Sequence, residues 1–155
     1  MNKEYLVVFD IIDEGYKYYS SFVFDSLMII AAILFLFMSR KWKPFLIIGI
    51  ACVLVFILAL FSDLTMFMEH NTFKNLLKSG KCEVVEGKVS QFQPMPEGGH
   101  PMESFSVNSI KFSYSDFIDT NGFNNTTLRG GPMKEGILVR IHHSGNNILK
   151  LEIIK

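Results

Sequence analysis

The chain has 155 residues, of which 49% are hydrophobic and 19% are charged, and its net charge at pH 7 is zero. The length is that of one ordinary domain, and fifteen phenylalanines exclude an intrinsically disordered chain. Zero net charge excludes broad electrostatic binding to nucleic acid, so we expect no duplex nucleic acid as a partner.

The first twenty residues begin with a short apolar run. Tyr5–Ile12 (YLVVFDII) is too short to cross a bilayer, and aromatic residues follow it at Tyr16, Tyr18 and Tyr19. This composition is typical of a helix that lies on a membrane surface. We therefore predict an N-terminal interfacial segment over residues 1–20.

Two long apolar runs follow. Ser21–Met38 contains one charged residue, Asp25, and Pro44–Phe61 contains none. About twenty helical residues cross a bilayer core of roughly 30 Å, so each run predicts a transmembrane helix. The link over residues 39–43 permits only a tight helical hairpin. Apolar residues continue at helical spacing up to Gly80, which predicts a helical stalk and a membrane α region over residues 21–79.

Residues 80–155 predict a small antiparallel β domain. Lys81–Phe92 reads as a strand with a bulge at Gly87, and Ser104–Tyr114 reads as a hairpin that turns at Asn108-Ser109. Five short strands form a marginal core, so we expect the chain to self-associate. The last predicted hairpin comprises Gly136–His143 and Ile148–Ile154.

Cations near the ends of membrane helices favour the cytoplasmic side. The link holds Arg40, Lys41 and Lys43 at high density, which favours a cytoplasmic link, whereas the side of the two termini holds more cations that are more dispersed, which favours cytoplasmic termini. This count leaves both orientations open. We expect a multi-pass protein of the bacterial inner membrane with a cytoplasmic C-terminal domain.

The sequence offers no specific catalytic motif. His142 and His143 are adjacent on a predicted strand, so their side chains point to opposite faces and cannot ligate one metal. His100 and Asp116 could join one of them only if the loops converge. We therefore expect no catalytic residues, no metal and no cofactor, and we predict that the protein is not an enzyme.

Candidate anion ligands are clearer. Arg129-Gly130-Gly131 places a cation beside two residues that can turn backbone N–H groups toward an anion. Arg140 and His142 share one face of a predicted strand, and Asn124 and His100 add polar groups from loops. The alternatives are an ordinary turn at Gly130-Gly131 and a solvated strand face at Arg140 and His142.

Two carboxylates lie near the same end of the predicted hairpin. In an oligomer, Asp25 and Asp63 would form rings at the mouth of a cation pore. The alternative is a pair of hydrated acids at the interface.

The layout of two N-terminal membrane helices, a stalk and a β domain resembles the small membrane effectors of type III CRISPR defence that bind cyclic tetra-adenylate. This resemblance implies a cyclic oligoadenylate ligand bound by a four-fold tetramer, with one cation from each subunit, Arg129 or Arg140, on each phosphate. Ligand binding would then open a pore or disturb the bilayer in antiviral defence.

The C-terminal half contains a series of short segments: Val85-Glu86-Gly87 through Phe92, Pro94-Met95-Pro96, Gly99-His100, Glu103-Ser104-Phe105, Phe112-Ser113-Tyr114-Ser115-Asp116 and Gly122-Phe123. Together these segments resemble a β domain of uncharacterised bacterial membrane-anchored proteins, some of which are extracytoplasmic. This resemblance leaves a second function open, a constitutive membrane protein whose β domain is structural or binds a partner, as an immunity protein does.

Overall fold

The computed structural model describes residues 4–38, 41–96, 102–118 and 120–154, and the chain divides into two compact units. Met1–Gly15 and Asn71–Lys155 form the first, which we call the β unit. Tyr16–His70 forms the second, which we call the helical unit. Along the sequence, the helical unit is therefore an insertion between two segments of the β unit.

Two helices are long and apolar enough to cross a membrane, as the sequence predicts. Helix α1 spans Tyr19–Met38 and helix α2 spans Lys43–Lys78. Most of their large apolar side chains face outward, so these helices are not buried in the core of the chain. Leu34 is 58% exposed, Phe37 is 71% exposed and Leu58 is 70% exposed.

The two helices of the helical unit approach closely at small residues. A Cβ atom added to Gly49 of α2 would lie 2.4 Å from Cδ2 of Leu36 in α1, so a larger residue there would require the Leu36 side chain to move. Ala32 of α1 is also buried. Small residues that bring helix backbones together are typical of helix packing in membranes.

Helix α2 ends in a Schellman motif at the predicted glycine. Gly80 has a φ of 65°, its N–H donates to Leu77 O, and the N–H of Lys81 donates to Leu76 O. The last turns of α2 belong to the β unit, where Phe73 is part of the hydrophobic core. The end of the predicted stalk is therefore packed within the β unit.

The β unit is a six-stranded antiparallel sheet, and the prediction of apolar helices followed by a small antiparallel β structure is confirmed. The strand order is β1-β6-β5-β2-β3-β4. The strands are β1 (Tyr5–Asp10), β2 (Glu83–Gln93), β3 (Glu103–Val107), β4 (Ile110–Tyr114), β5 (Leu138–Ser144) and β6 (Asn147–Ile154).

The interfacial helix predicted for Tyr5–Ile12 is wrong, because these residues form β1 and pair with β6. Phe9 and Ile11 are buried in the core of the β unit, and the N–H of Ile11 donates to Leu149 O. A short apolar run fits a strand as well as an interfacial helix, and its partner strand lies almost the whole chain away.

The predicted hairpin turns are confirmed. Asn108 and Ser109 both have positive φ, as a two-residue turn between β3 and β4 requires, and β5 and β6 turn at Gly145-Asn146. The bulge predicted at Gly87 is wrong, because β2 pairs with β5 continuously through it. A Cβ atom there would lie 2.7 Å from Asn108 Oδ1, so Gly87 makes room for the turn.

The true irregularity in β2 lies further along the strand. The pairing of β2 with β3 shifts register between Ser90 and Gln93, and Gln91 has a φ of 54°. Up to Lys88, β2 pairs with β5, and from Val89 onward it pairs with β3. This bulge therefore lies where β2 serves as the partner of β3, and bulges of this kind bend a strand.

The outer edge of β4 is capped by a side chain. The N–H of Ser113 donates to Asn146 Oδ1 over 2.9 Å, and Asn146 Nδ2 donates to Ser113 O over 2.7 Å. The turn between β5 and β6 therefore reaches the far edge strand, which requires the sheet to curl. The cap occupies backbone groups that would otherwise be open to pairing with another chain.

A buried carboxylate holds the loop after β4 against the sheet. Glu103 is fully buried and accepts hydrogen bonds from the hydroxyl of Tyr114, from Thr127 N over 3.0 Å and from Thr127 Oγ1 over 2.6 Å. Burial raises the pKa of Tyr114, and the hydrogen bond to Glu103 raises it further, so the phenol remains a donor at any physiological pH.

We expect Glu103→Gln to lower the free energy of unfolding of the β unit by about 2 kcal/mol. Hydrogen bonds to a charged group contribute about 1.5–3 kcal/mol, and the amide NH2 group would face a donor on one side. Urea unfolding of the full-length protein in detergent, followed by tyrosine fluorescence, measures this. The control is Glu83→Gln, whose side chain is 74% exposed; equal losses in both variants would contradict a stabilising role for Glu103.

Candidate functional site

Arg140, a predicted phosphate ligand, is enclosed by partners on the outer face of the sheet. Its Nη2 lies 2.9 Å from Oε2 of Glu86, and its guanidinium carbon lies 3.9 Å from the ring centroid of Tyr5. It also donates a hydrogen bond to the Tyr5 hydroxyl. Strands β1, β2 and β5 together hold this cation, so its charge is already matched within the chain.

The same face carries a second group of ion pairs, between residues of β1, β5 and β6. Lys150 Nζ lies 3.3 Å from Oδ2 of Asp10 and 3.5 Å from Oε1 of Glu152, and Arg140 Nη1 lies 3.9 Å from Oε2 of Glu152. Burial lowers the pKa of Lys150, but the hydrogen bond and charge of Asp10 outweigh it, and the net shift is upward. We call this surface the charged face; its members are Tyr5, Asp10, Glu86, Arg140, His142, Lys150 and Glu152.

The charged face is not a cationic patch. Three carboxylates, those of Asp10, Glu86 and Glu152, face the two cations Arg140 and Lys150. Burial lowers the pKa of His142, against the charge of Glu152, so the imidazole adds no positive charge at pH 7. The sequence placed Arg140 and His142 on one face correctly, but it did not give the carboxylates that neutralise this face.

Arg129, the other predicted phosphate ligand, lies in a short 3-10 helix over Thr127–Arg129. Its Nε donates to Oδ2 of Asp116 over 2.8 Å, and its side chain is 67% exposed. An exposed ion pair of this kind contributes little free energy, so the guanidinium can leave Asp116 for another anion. Of the two predicted arginines, Arg129 is therefore the more available.

The glycines after Arg129 serve the turn. The N–H of Gly130 donates to Thr127 O and that of Gly131 donates to Thr126 O, so neither points to a free anion site. Gly130 has a φ of 84°, and a Cβ atom on Gly131 would lie 2.1 Å from Asn125 O. The structure supports the alternative explanation for this pair, a turn that only glycine fits.

The remaining predicted ligands do not converge on one site. Asn124 is half-buried in the loop before the 3-10 helix, and His100 lies outside the described residues. Among the described residues, no hydrogen bond or ion pair joins the turn at Arg129 to Arg140 on the charged face. Nor does any group of three or more His, Cys, Asp or Glu residues in the described ranges have the arrangement of a metal site.

A groove that the sequence analysis missed lies on β2, β3 and β4. It has a volume of about 460 Å3 and begins at the β2 bulge. Ser106 Oγ donates to Gln91 Oε1 over 3.3 Å, and Ser104 Oγ donates to Gln93 Oε1 over 3.5 Å. We call it the polar groove; it is lined by Gln91, Phe92, Gln93, Ser104, Ser106 and Lys111.

The polar groove keeps free donors. Both glutamine amides accept through oxygen, and among the described residues neither NH2 group of Gln91 or Gln93 has a hydrogen-bond partner. Lys111 pairs with no carboxylate in the described part of the chain. Amide donors, one unpaired ammonium group and the ring of Phe92 are groups that bind an anionic polar ligand.

The sequence contains a faint signal for this groove. Gln91 and Gln93 are two residues apart, as are Ser104 and Ser106, so each pair lies on one strand face. This alternation can be seen in the sequence. The register that places Ser106 opposite Lys111 depends on the pairing of β3 with β4 and can be seen only in the structure.

In the helical unit, the two predicted pore carboxylates line one cleft. Asp25 and Asp63 border a cleft of about 660 Å3 together with Ser20, Ser21, Phe24, Ala59 and Ser62. The Oδ2 atom of Asp63 is buried and has no hydrogen-bond partner within the described ranges. Their proximity agrees with the predicted helical hairpin.

We expect Arg140→Gln to lower the free energy of unfolding of the β unit by about 1–2 kcal/mol, because Glu86 and Glu152 would lose a half-buried cation. Arg129→Gln is the matched control and should cost less than about 0.5 kcal/mol, since its ion pair is exposed. Thermal unfolding of both full-length variants in detergent gives the comparison. A stable Arg140→Gln protein would show that the ion pairs of the charged face are not structural.

The comparisons with known proteins add no relative. No protein-family model, no curated protein sequence and no solved structure matches this chain. The candidate functions below therefore depend on the chemistry of the residues and on the resemblance in layout.

Proposed function

We propose that this protein is a membrane-anchored ligand sensor in which the helical unit spans the bilayer and the β unit binds a small anionic ligand in the polar groove. The observation that carries the proposal is the set of free donors at Gln91, Gln93 and Lys111. The outward-facing apolar side chains of α1 and α2 support insertion in lipid, since water would solvate them poorly.

The specific form of this proposal is a cyclic oligoadenylate sensor of antiviral defence, with cyclic tetra-adenylate as the ligand. A phosphate needs one cation, which Lys111 offers without first leaving a carboxylate, and adenine edges accept and donate through groups that amides match. In a homotetramer, four copies of Lys111 would face four equivalent phosphates. Arg129 is available as a second cation, whereas Arg140 is held within the charged face.

The response would occur in the helical unit. Ligand binding would favour an arrangement of the membrane helices in which Asp25 and Asp63 line a cation path or the bilayer is disturbed. The ligand must bind that arrangement more tightly, and reversing a 1:99 population takes about 5.5 kcal/mol of differential affinity. Their common cleft supports a role for both carboxylates in such a path.

A second candidate function is a constitutive membrane protein whose β unit is structural or binds a protein partner. The neutralised charged face favours it, because Arg140, one of the two arginines predicted to bind a phosphate, is already paired with carboxylates of the chain. This function needs no small ligand, so ligand titration distinguishes it from the first.

We expect the full-length protein in detergent to bind cyclic tetra-adenylate more tightly than linear or differently sized cyclic adenylates. Lys111→Gln should weaken binding at least tenfold, because a charge-assisted hydrogen bond contributes about 1.5–3 kcal/mol. Lys88→Gln is the control, since Lys88 is exposed on β2 but does not line the groove. Isothermal titration calorimetry measures both.

Two results of that titration would contradict the proposal in different ways. No heat with any adenylate, from a folded oligomer, would favour the constitutive function. Binding that Lys111→Gln leaves unchanged but Arg129→Gln abolishes would keep the ligand and move the site to the turn at Arg129.

A cytoplasmic ligand also requires a cytoplasmic β unit. We expect a reporter enzyme that is active only outside the cytoplasm to be silent when fused after Lys155, because more cations flank the helices on that side. The same reporter fused within the link between α1 and α2 is the control and should be active. The reverse pattern would rule out a cytoplasmic second messenger as the ligand.

A further inference from the structure

A cysteine, a histidine and a buried carboxylate stand in series beside the start of β2. Cys82 Sγ lies 3.8 Å from Nδ1 of His142, within hydrogen-bonding range for sulfur. On the other side of the ring, Nε2 lies 3.9 Å from Oε2 of Glu152. The imidazole therefore stands between a thiol and a carboxylate, although neither proposed function uses this arrangement.

The carboxylate lies between the histidine and two cations: Oε2 is 3.9 Å from both His142 Nε2 and Arg140 Nη1, and Oε1 is 3.5 Å from Lys150 Nζ. The Glu152 side chain is 10% exposed, and its Oε2 atom has no hydrogen-bond partner in the described ranges. The negative charge of this carboxylate favours the imidazole tautomer with the proton on Nε2, the nitrogen that lies 3.9 Å from it. Nδ1 is then an acceptor that faces the Cys82 thiol.

The surroundings keep this imidazole neutral. Burial lowers the pKa of His142 below its usual value, and the charges of Lys150 and Arg140 lower it as well, against those of Glu152 and Asp10. These four groups come from β1, β5 and β6, the strands around the ring. A neutral imidazole can accept a proton at pH 7, as a general base must.

Cys82 is free to react. It is not in a disulfide, and it is half-buried, with one side packed against the core. A half-buried thiol can take part in thiol–disulfide exchange, because this reaction needs only a deprotonated sulfur and an in-line approach to a second sulfur.

We propose that Cys82 is a nucleophilic thiol that forms a mixed disulfide with a low-molecular-weight disulfide, and that His142 is the base that accepts its proton. The proton moves from Cys82 Sγ to His142 Nδ1, and the sulfur attacks one sulfur of the small disulfide. The S–S bond of that molecule breaks, and the released thiolate takes the proton from the imidazole. One disulfide is lost and one is formed, so the electrons balance without another oxidant.

The test uses the full-length Cys52→Ser protein in detergent, in which Cys82 is the only thiol. Oxidised glutathione is the probe, and intact mass spectrometry follows the addition of one glutathione. The reference is the same chain unfolded in urea, where Cys82 has no histidine beside it. We expect the folded protein to react about tenfold faster at pH 7. This is less than the roughly hundredfold lower limit of general-base catalysis, because Sγ and Nδ1 are 3.8 Å apart and the proton transfer is not ideally aligned.

Two variants assign the roles. His142→Gln should slow the reaction about tenfold at pH 7 and make its rate rise with pH as that of the unfolded chain does. Glu152→Gln should shift the pH profile and slow the reaction less, because Glu152 acts through the imidazole. Circular dichroism confirms that each variant is folded.

The pH profile of the Cys52→Ser protein decides the matter even if both variants fail to fold. A rate that levels off once His142 is neutral supports the proposal. A folded protein that reacts no faster than the unfolded chain, or whose rate follows the same pH dependence, overturns it. Neither result bears on the polar groove, so this proposal and the proposed function fail separately.

Discussion

The pairing of β1 with β6 is the interaction on which the rest of the β unit depends. It joins residues near the start of the chain to residues near its end, and it places Phe9 and Ile11 in the core. On the opposite face it brings Tyr5 over the Arg140 guanidinium and Asp10 to Lys150. Without β1, the core would lose the buried side chains of Phe9 and Ile11, and β6 would become an edge strand. An unpaired edge strand can pair with another chain and cause aggregation.

The same pairing affects which cations are available to a ligand. Asp10 of β1 pairs with Lys150 of β6, and Glu86 of β2 pairs with Arg140 of β5, so both cations of the charged face are matched before any ligand arrives. The polar groove lies on β2, β3 and β4, and Lys111 forms no ion pair with a carboxylate in the described part of the chain. A cation that is already paired must lose one partner to gain another, so an unpaired lysine is the better starting point for binding an anion.

The sequence predicted the elements with strong local signals and missed those with distant partners. Local signals predicted the helices of the two apolar runs, the Asn108-Ser109 turn and the helix end at Gly80, and the structure contains each of these elements. Tyr5–Ile12 was assigned to the wrong secondary structure because a short apolar run carries no information about a partner strand far along the chain. The ion pair of Arg140 with Glu86 was not predicted for the same reason. The two residues are brought together by the register of β2 against β5, which the sequence does not reveal.

The insertion of the helical unit between two segments of the β unit has a practical consequence for protein engineering. A fragment that starts at Gly80 would lack both β1 and Phe73, and we would expect it to aggregate. Lys74 Nζ donates to Glu14 O over 2.9 Å, so the chain enters and leaves the β unit at neighbouring points. A short flexible linker from Gly15 to Asn71 would therefore excise Tyr16–His70 and keep all six strands, giving a water-soluble miniature for crystallography and NMR.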